Sequence, residues 1–172
     1  AALVNDVSGF TYDAALAPLC AAQQVPICIM HTQGDPQTMQ DAPTYSDVRL
    51  DVFDFLASRV EALVALGVPR GQILVDPGIG FGKTLEHNLM LLRDISLFHG
   101  LGCPILLGAS RKRFIGTISQ ADAADTRVMG SVSVALHGAA QGVQVLRVHD
   151  VKETRQALAL WRAIEWGIED GA

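Results

Sequence analysis

Cysteine is scarce in this chain of 172 residues: Cys20, Cys28 and Cys103 are the only three, an odd number with no C-x-x-C pair. Neither a disulfide framework nor a zinc site is therefore expected. Three free buried thiols in the reducing cytoplasm are the simplest reading. No run of about eighteen uninterrupted apolar residues occurs, so no membrane span is expected. A basic excess is also missing, with 13 Lys and Arg against 18 Asp and Glu and a formal net charge of -5. Such a surface has no general attraction for nucleic acid or anionic lipid, and any bound anion must be held by a few placed cations. The first residues carry no charged leader, so no signal peptide is expected. No low-complexity segment or linker divides the chain. With 49% hydrophobic and 18% charged residues it reads as one domain over 1–172 with one sizeable core.

What is present is an alternation. Apolar, β-rich runs lie near Leu3 to Val7, Val25 to Met30, Ile73 to Val75, Ile105 to Leu107 and Gln144 to Val148. Helical patterns fall between them. Ala14 to Gln24 reads as a short helix. Thr44-x-x-Asp47 is placed to cap a second, whose stripe runs Val48, Val52, Phe55, Leu56, Val60 and Leu63 before Gly67. Leu85, Leu89, Leu92 and Ile95 form a third stripe stopped at Gly100, and Val128, Val132, Ala135, Leu136 and Ala139 a fourth stopped at Gly142. Asp150-x-x-Glu153 opens a last helix with the stripe Ala157, Leu160, Trp161, Ile164 and Ile168. His31 to Pro43 and Arg111 to Asp125 read as irregular and, following strands, belong to the functional face. Repeated β-α units with short apolar strands predict a parallel α/β fold, a (β/α) barrel with an open doubly wound sheet as the alternative.

Polar residues gather at the strand ends. The run Ile73-Leu-Val-Asp-Pro-Gly-Ile-Gly-Phe-Gly-Lys-Thr84 ends a strand in a carboxylate and continues into a glycine-rich turn with one aromatic and one lysine. The phosphate-loop pattern fails because Pro77 stands at the first glycine position, and the dinucleotide pattern fails as well. Residues two apart on a strand share a face, so a barrel interior would collect Asn5, Met30, Asp76, Arg147 and His149. An amide, a carboxylate, a guanidinium and an imidazole in one apolar setting require mutual pairing or a ligand, and suit a flat heterocycle with a negatively charged group. Asp76 could also bond its own turn, Arg111-Lys112-Arg113 could be a solvated basic run, and Met30 could be core. Phe81, a bulky aromatic between glycines, is expected to cover something. His87 and Asp6 are read as structural, in capping for instance, and His99 and His137 as structural or exposed.

Five segments, Val4-Asn-Asp-Val-Ser-Gly9, Met30-His-Thr-Gln-Gly-Asp-Pro-Gln-Thr-Met-Gln40, Asp76-Pro-Gly-Ile-Gly-Phe-Gly-Lys-Thr84, Gly108-Ala-Ser-Arg-Lys-Arg-Phe-Ile-Gly116 and Arg147-Val-His-Asp150, resemble in order those of dihydropteroate synthase. The resemblance implies a pterin-binding (β/α)8 barrel that joins 4-aminobenzoate to 6-hydroxymethyl-7,8-dihydropterin diphosphate in folate synthesis. The family uses magnesium, acts as a homodimer and is the target of sulfonamides that mimic the aminobenzoate. It further implies that Asp76 and Asn5 read the pterin, and that Lys112 donates to its ring beside the aminobenzoate. Phe81 and Ser110 would contact the aminobenzoate, and Arg147 would stack on the pterin and hold the diphosphate with His149. Met30, Val7 and Gly80 would line the pterin slot, with Gly108 also among the substrate-binding positions. Asp76, Lys112, Arg147 and His149 are the expected catalytic set. Ile79, Thr32 and Ala109 depart from the family's usual residues. The chain resembles strands four to eight. Three earlier β-α units, with the magnesium-binding asparagine and two loops, are expected to be missing, leaving no metal ligand here and a chain inactive alone. A pterin-binding methyltransferase domain and a non-catalytic truncated homologue are the alternatives.

Overall fold

The structure, a computed structural model, describes residues 2–34 and 43–167. Five strands alternate with helices: β1 (Val4–Asp6), α1 (Leu16–Gln23), β2 (Ile27–Met30), α2 (Val48–Ala65), β3 (Ile73–Asp76), α3 (Leu85–Arg93), β4 (Leu106–Leu107), α4 (Arg113–Ser119), α5 (Val128–Ala140), β5 (Val145–Leu146) and α6 (Val151–Trp166). β1, β2 and β3 form one parallel sheet in that order, and β4 and β5 a second parallel pair. A parallel bridge between Val75 and Ile105 joins the two. The strands thus lie side by side in chain order. A doubly wound sheet reverses its order at a switch point, and none occurs among the described strands.

Alternation divides the sheet into two faces. Ile27, Ile29, Ile73, Val75, Ile105 and Leu107 point to the helices and pack with Val52, Leu56, Val60 and Leu63 of α2 and with Leu91 of α3 in one core. Burial of such side chains stabilises by about 1.5–3 kcal/mol each. The register pairs Asn5 with Cys28, Cys28 with Leu74, and Met30 with Asp76, so these residues share the opposite face. Phase along the strand therefore sends β-branched residues to the core and the candidate site residues away from it.

Helix ends correct several expectations. Asp47, rather than a Thr44–Asp47 box, caps α2 by accepting from the amide of Arg49. The reciprocal box sits at α3, where Thr84 accepts from the His87 amide at 3.2 Å and His87 Nδ1 meets the Thr84 amide at 3.3 Å. The third stripe does not run on to Gly100. α3 ends at Arg93, a 3-10 segment follows (Ile95–Leu101), and Gly102 at φ +66° closes it. The stretch from Arg111 is not irregular throughout, since it holds α4. That helix is too short to show a stripe, has Gly116 at its centre, and buries only Phe114, Ile115 and Gly116. Asp150 precedes α6 without a side-chain cap, because its carboxylate is engaged elsewhere. Ile168 and residues 35–40 of the second segment lie outside the described residues. All three cysteines are free and buried. Among the described residues no helix is long and apolar enough to cross a membrane.

Candidate functional site

Asp76 ends β3 at the C-terminal edge of the sheet and is 2% exposed. Its carboxylate accepts from the amide of Gly78 at 2.8 Å. Burial pushes its pKa up, while the Gly78 amide, Lys112, Arg147 and Lys83 pull it down, and the net direction is upward. The turn bond expected of Asp76 exists, but one amide does not saturate a carboxylate, which has about four acceptor positions.

The turn that follows is shaped by close approaches. Gly78 takes φ +71°, and a Cβ there would lie 1.9 Å from the carbonyl oxygen of His31. Gly80 takes φ +81°, and its Cβ would meet Lys112 at 2.9 Å. Asn88, buried on α3, accepts from the Gly80 amide at 2.6 Å and donates to the Thr84 carbonyl at 2.7 Å. Tyr45 donates to the Gly82 carbonyl at 2.6 Å. The turn is thus fastened to the loop after β2 on one side and to α3 on the other.

Phe81 covers something, as its position between glycines implied. The ammonium of Lys112 lies 4.4 Å from the centre of its ring, a cation–π contact, and donates to the Ile79 carbonyl. Burial lowers the Lys112 pKa to about 8, with Asp76 raising it and Arg147 lowering it. Ile79 is fully buried in the core and Ala109 is buried beside it.

The basic run separates into three roles. Arg111 takes φ +60° and makes a two-bond ion pair with Asp150, at 3.1 and 2.5 Å. Its amide donates to Ser131 at 2.8 Å and its carbonyl accepts from Arg127 at 3.0 Å. Held at both backbone ends, Arg111 turns Lys112 inward, while Arg113 is exposed. Ser110 is buried and accepts from the His149 amide at 3.2 Å, with His149 Nδ1 3.0 Å from its hydroxyl. Arg147 follows β5, and a Cβ on Gly108 would lie 2.8 Å from its guanidinium.

Two cavities open here. One of about 510 Å³ is lined by Gly80, Phe81, Asn88, Lys112 and Phe114, among others. One of about 280 Å³ is lined by Gly108, Ser110, Lys112, Arg147, Val148 and His149. Lys112 borders both. The structure therefore brings together Asp76, Gly80, Phe81, Gly108, Ser110, Lys112, Arg147 and His149. Met30 is 1% exposed and pairs with Asp76 in register. Asn5 shares the face but stands exposed on β1, two positions away from β3 in the sheet order, and Val7 lies exposed in the turn just past that strand.

Sequence reasoning passed over Lys83 and His31. Lys83 is 3% exposed, and its ammonium lies 3.0 Å from His31 Nδ1 and donates to the Phe81 carbonyl at 2.9 Å. Burial lowers the Lys83 pKa to about 7, with Asp76 raising it. Burial and Lys83 drive His31 down to about 3, so the imidazole is neutral and accepts. The signal in the sequence was the lysine closing a glycine turn. His87, His99 and His137 are structural, as expected, the last two bonding the carbonyls of Gln141 and Leu92. Asp6 holds its own turn through Ser8 and Phe10.

Residues 1–149 match the family model described as pterin binding enzyme. The dihydropteroate synthase of Neisseria meningitidis serogroup B is 42% identical over 165 residues, which are 94% of this chain and 58% of that protein. The dihydropteroate synthase of Thermus thermophilus, solved in complex with 4-aminobenzoate, superposes with a TM-score of 0.89 at 43% identity, over 94% of this chain and 62% of that one. That of Yersinia pestis, solved with a sulfonamide drug, gives 0.90 at 40% identity over 95% and 59%. The chain thus spans less than two thirds of the length of each.

Proposed function

Since the chain belongs to the pterin-binding enzyme family, we propose that it furnishes the pterin- and aminobenzoate-side residues of a dihydropteroate synthase. The observation that carries this reading is Lys112, one half-buried cation bordering two cavities, with an aromatic ring in one and Arg147 and His149 in the other. A heterocycle over Asp76 would place its reacting methylene near that ammonium, between an aryl amine beside Phe81 and a diphosphate beside Arg147 and His149. Asp76 accepts from the amino-pyrimidinone edge, with Asn5 as the second reader. Val7, Met30, Gly80 and Gly108 form the walls, and Ser110 stands on the aminobenzoate side. The C–O bond to diphosphate breaks first, and the leaving anion is stabilised by Arg147 and Lys112. The amine nitrogen then bonds to the methylene and loses a proton to water, giving 7,8-dihydropteroate and diphosphate. The amine is neutral near pH 7, so no strong base is required.

The five strands are taken as the later five staves of an eight-stave barrel, supported by the share of its relatives that the chain spans. Among the described residues no group of three or more His, Cys, Asp or Glu side chains fits a metal ion. No step above runs through a metal ion. A cytoplasmic homodimer belongs to the same proposal. Exposed Met129, Leu160 and Ile164 on α5 and α6 supply apolar surface for the pairing.

The full-length protein carrying this chain is expected to form pteroate from the pterin diphosphate and 4-aminobenzoate. Asp76→Asn should lower kcat/KM by about 10- to 100-fold, the worth of a charge-assisted hydrogen bond. A wild-type protein that consumes neither substrate would sink the reading, and methyl transfer from a pterin would redirect it.

A further inference from the structure

Gly78 to Phe81 closes as a β-turn, with the Phe81 amide donating to the Gly78 carbonyl at 3.1 Å. The central peptide of this turn joins Ile79 to Gly80, and Gly80 takes φ +81°, the value that the third residue of a type II turn requires. Types I and II differ by a half-turn of that peptide, which exchanges the sides on which its carbonyl and its amide point. Glycine at the third position accepts both forms, so the turn residues alone do not choose between them. Two side chains hold this one peptide from its two sides. Its oxygen accepts from the Lys112 ammonium, and its N–H donates to Asn88 Oδ1 at 2.6 Å. Asn88 lies in the first turn of α3 and is 4% exposed. Its Nδ2 donates to the carbonyls of Thr84 at 2.7 Å and Lys83 at 3.4 Å. Carbonyls on one side and an amide on the other fix which way the side chain faces. Asn88 borders the larger cavity, yet both ends of its amide are engaged by protein.

We infer that Asn88 is a positioning residue: by holding the Gly80 amide it keeps the Ile79 carbonyl directed at Lys112, and so sets the Lys112 ammonium where the two cavities meet. The purpose of this hold rests on the synthase reading, which puts the reacting methylene near Lys112, whereas the hold itself rests on the two hydrogen bonds to one peptide. With the peptide turned over, the Gly80 N–H would face the ammonium and offer it no acceptor. The ammonium would then lose the bond that anchors it 4.4 Å from the centre of the Phe81 ring. Lys112 cannot replace Asn88 in this task, since it reaches only the oxygen of the peptide and leaves the N–H without a partner side chain of its own.

The test is an NMR titration of the Lys112 side chain in the full-length protein carrying this chain, with pteroate formation measured beside it. Asn88→Leu is close to asparagine in size and offers no acceptor. It should lower the Lys112 midpoint from about 8 by about one pH unit, the worth of one acceptor to a charged group, and lower kcat by about 10-fold. Asn88→Asp keeps an acceptor for the Gly80 amide and should leave the midpoint at or above the wild-type value. Asp76, Arg147 and Lys83, the other charged groups that act on Lys112, are the same in both variants. A general loosening of the fold would lower Tm without moving this midpoint. A wild-type midpoint and kcat in Asn88→Leu overturn the inference, and so does an equal fall of the midpoint in Asn88→Asp. If Asn88→Leu does not fold, hydrogen exchange of the wild-type protein decides: the Gly80 amide must be protected, and exchange at the rate of an open loop overturns the inference. A wild-type protein that forms no pteroate defeats the synthase reading, while the Lys112 titration still decides the role of Asn88.

Discussion

Lys83 and Lys112 titrate at about 7 and about 8, well below an ordinary lysine, because burial penalises their charged forms. Above those values the folded chain has released protons that the unfolded chain still holds, so stability rises with pH. The slope is at most about 1.4 kcal/mol per pH unit for each lysine. The climb ends near about pH 10, where the lysines of the unfolded chain lose their protons and Cys28 and Tyr45, each raised to about 12 by burial, keep protons in the folded state that the unfolded chain loses. Urea unfolding between about pH 7 and pH 9 should show this climb, and Lys112→Met should flatten its upper half. A flat wild-type profile would contradict the burial argument. Asp76, Arg147 and His149 were legible because strand alternation and strand ends predict where such residues face. The separation of Arg111 from Lys112 was not, because it depends on a left-handed backbone at Arg111 that Ser131, Arg127 and Asp150 impose from distant parts of the chain.

At the level of elements, the strands and four of the long helices follow from periodicity, and their ends do not. Caps are made by single side chains whose choice of partner is a tertiary matter. Asp150 carries a capping residue type yet bonds Arg111, while His87, expected in a structural role such as capping, completes a box with Thr84. Thr84→Ala should cost about 1 kcal/mol, read as a shift in the urea midpoint with unchanged slope. α4 escaped detection for another reason. Seven residues with a central glycine bury three side chains, too few for a repeat to emerge.

Across the whole molecule, protection from solvent is uneven. β2 and β3 are paired on both sides and their core-facing side chains are fully buried, whereas β1 has one neighbour among the described residues and exposed Asn5. In the 172-residue chain by itself, hydrogen exchange should therefore be slowest at 27–30 and 73–76 and faster by orders of magnitude in β1. Equal rates across the three strands would contradict this reading. The parallel α/β class was legible from repeated β-α units, but the neighbour order was not, since a barrel and an open sheet use the same units. That order bears on synthesis. Each strand pairs with the one made just before it, so no late strand must wedge between two that have already joined. The chain can take up its structure as it leaves the ribosome, one unit at a time, with every new stave finding its template already in place.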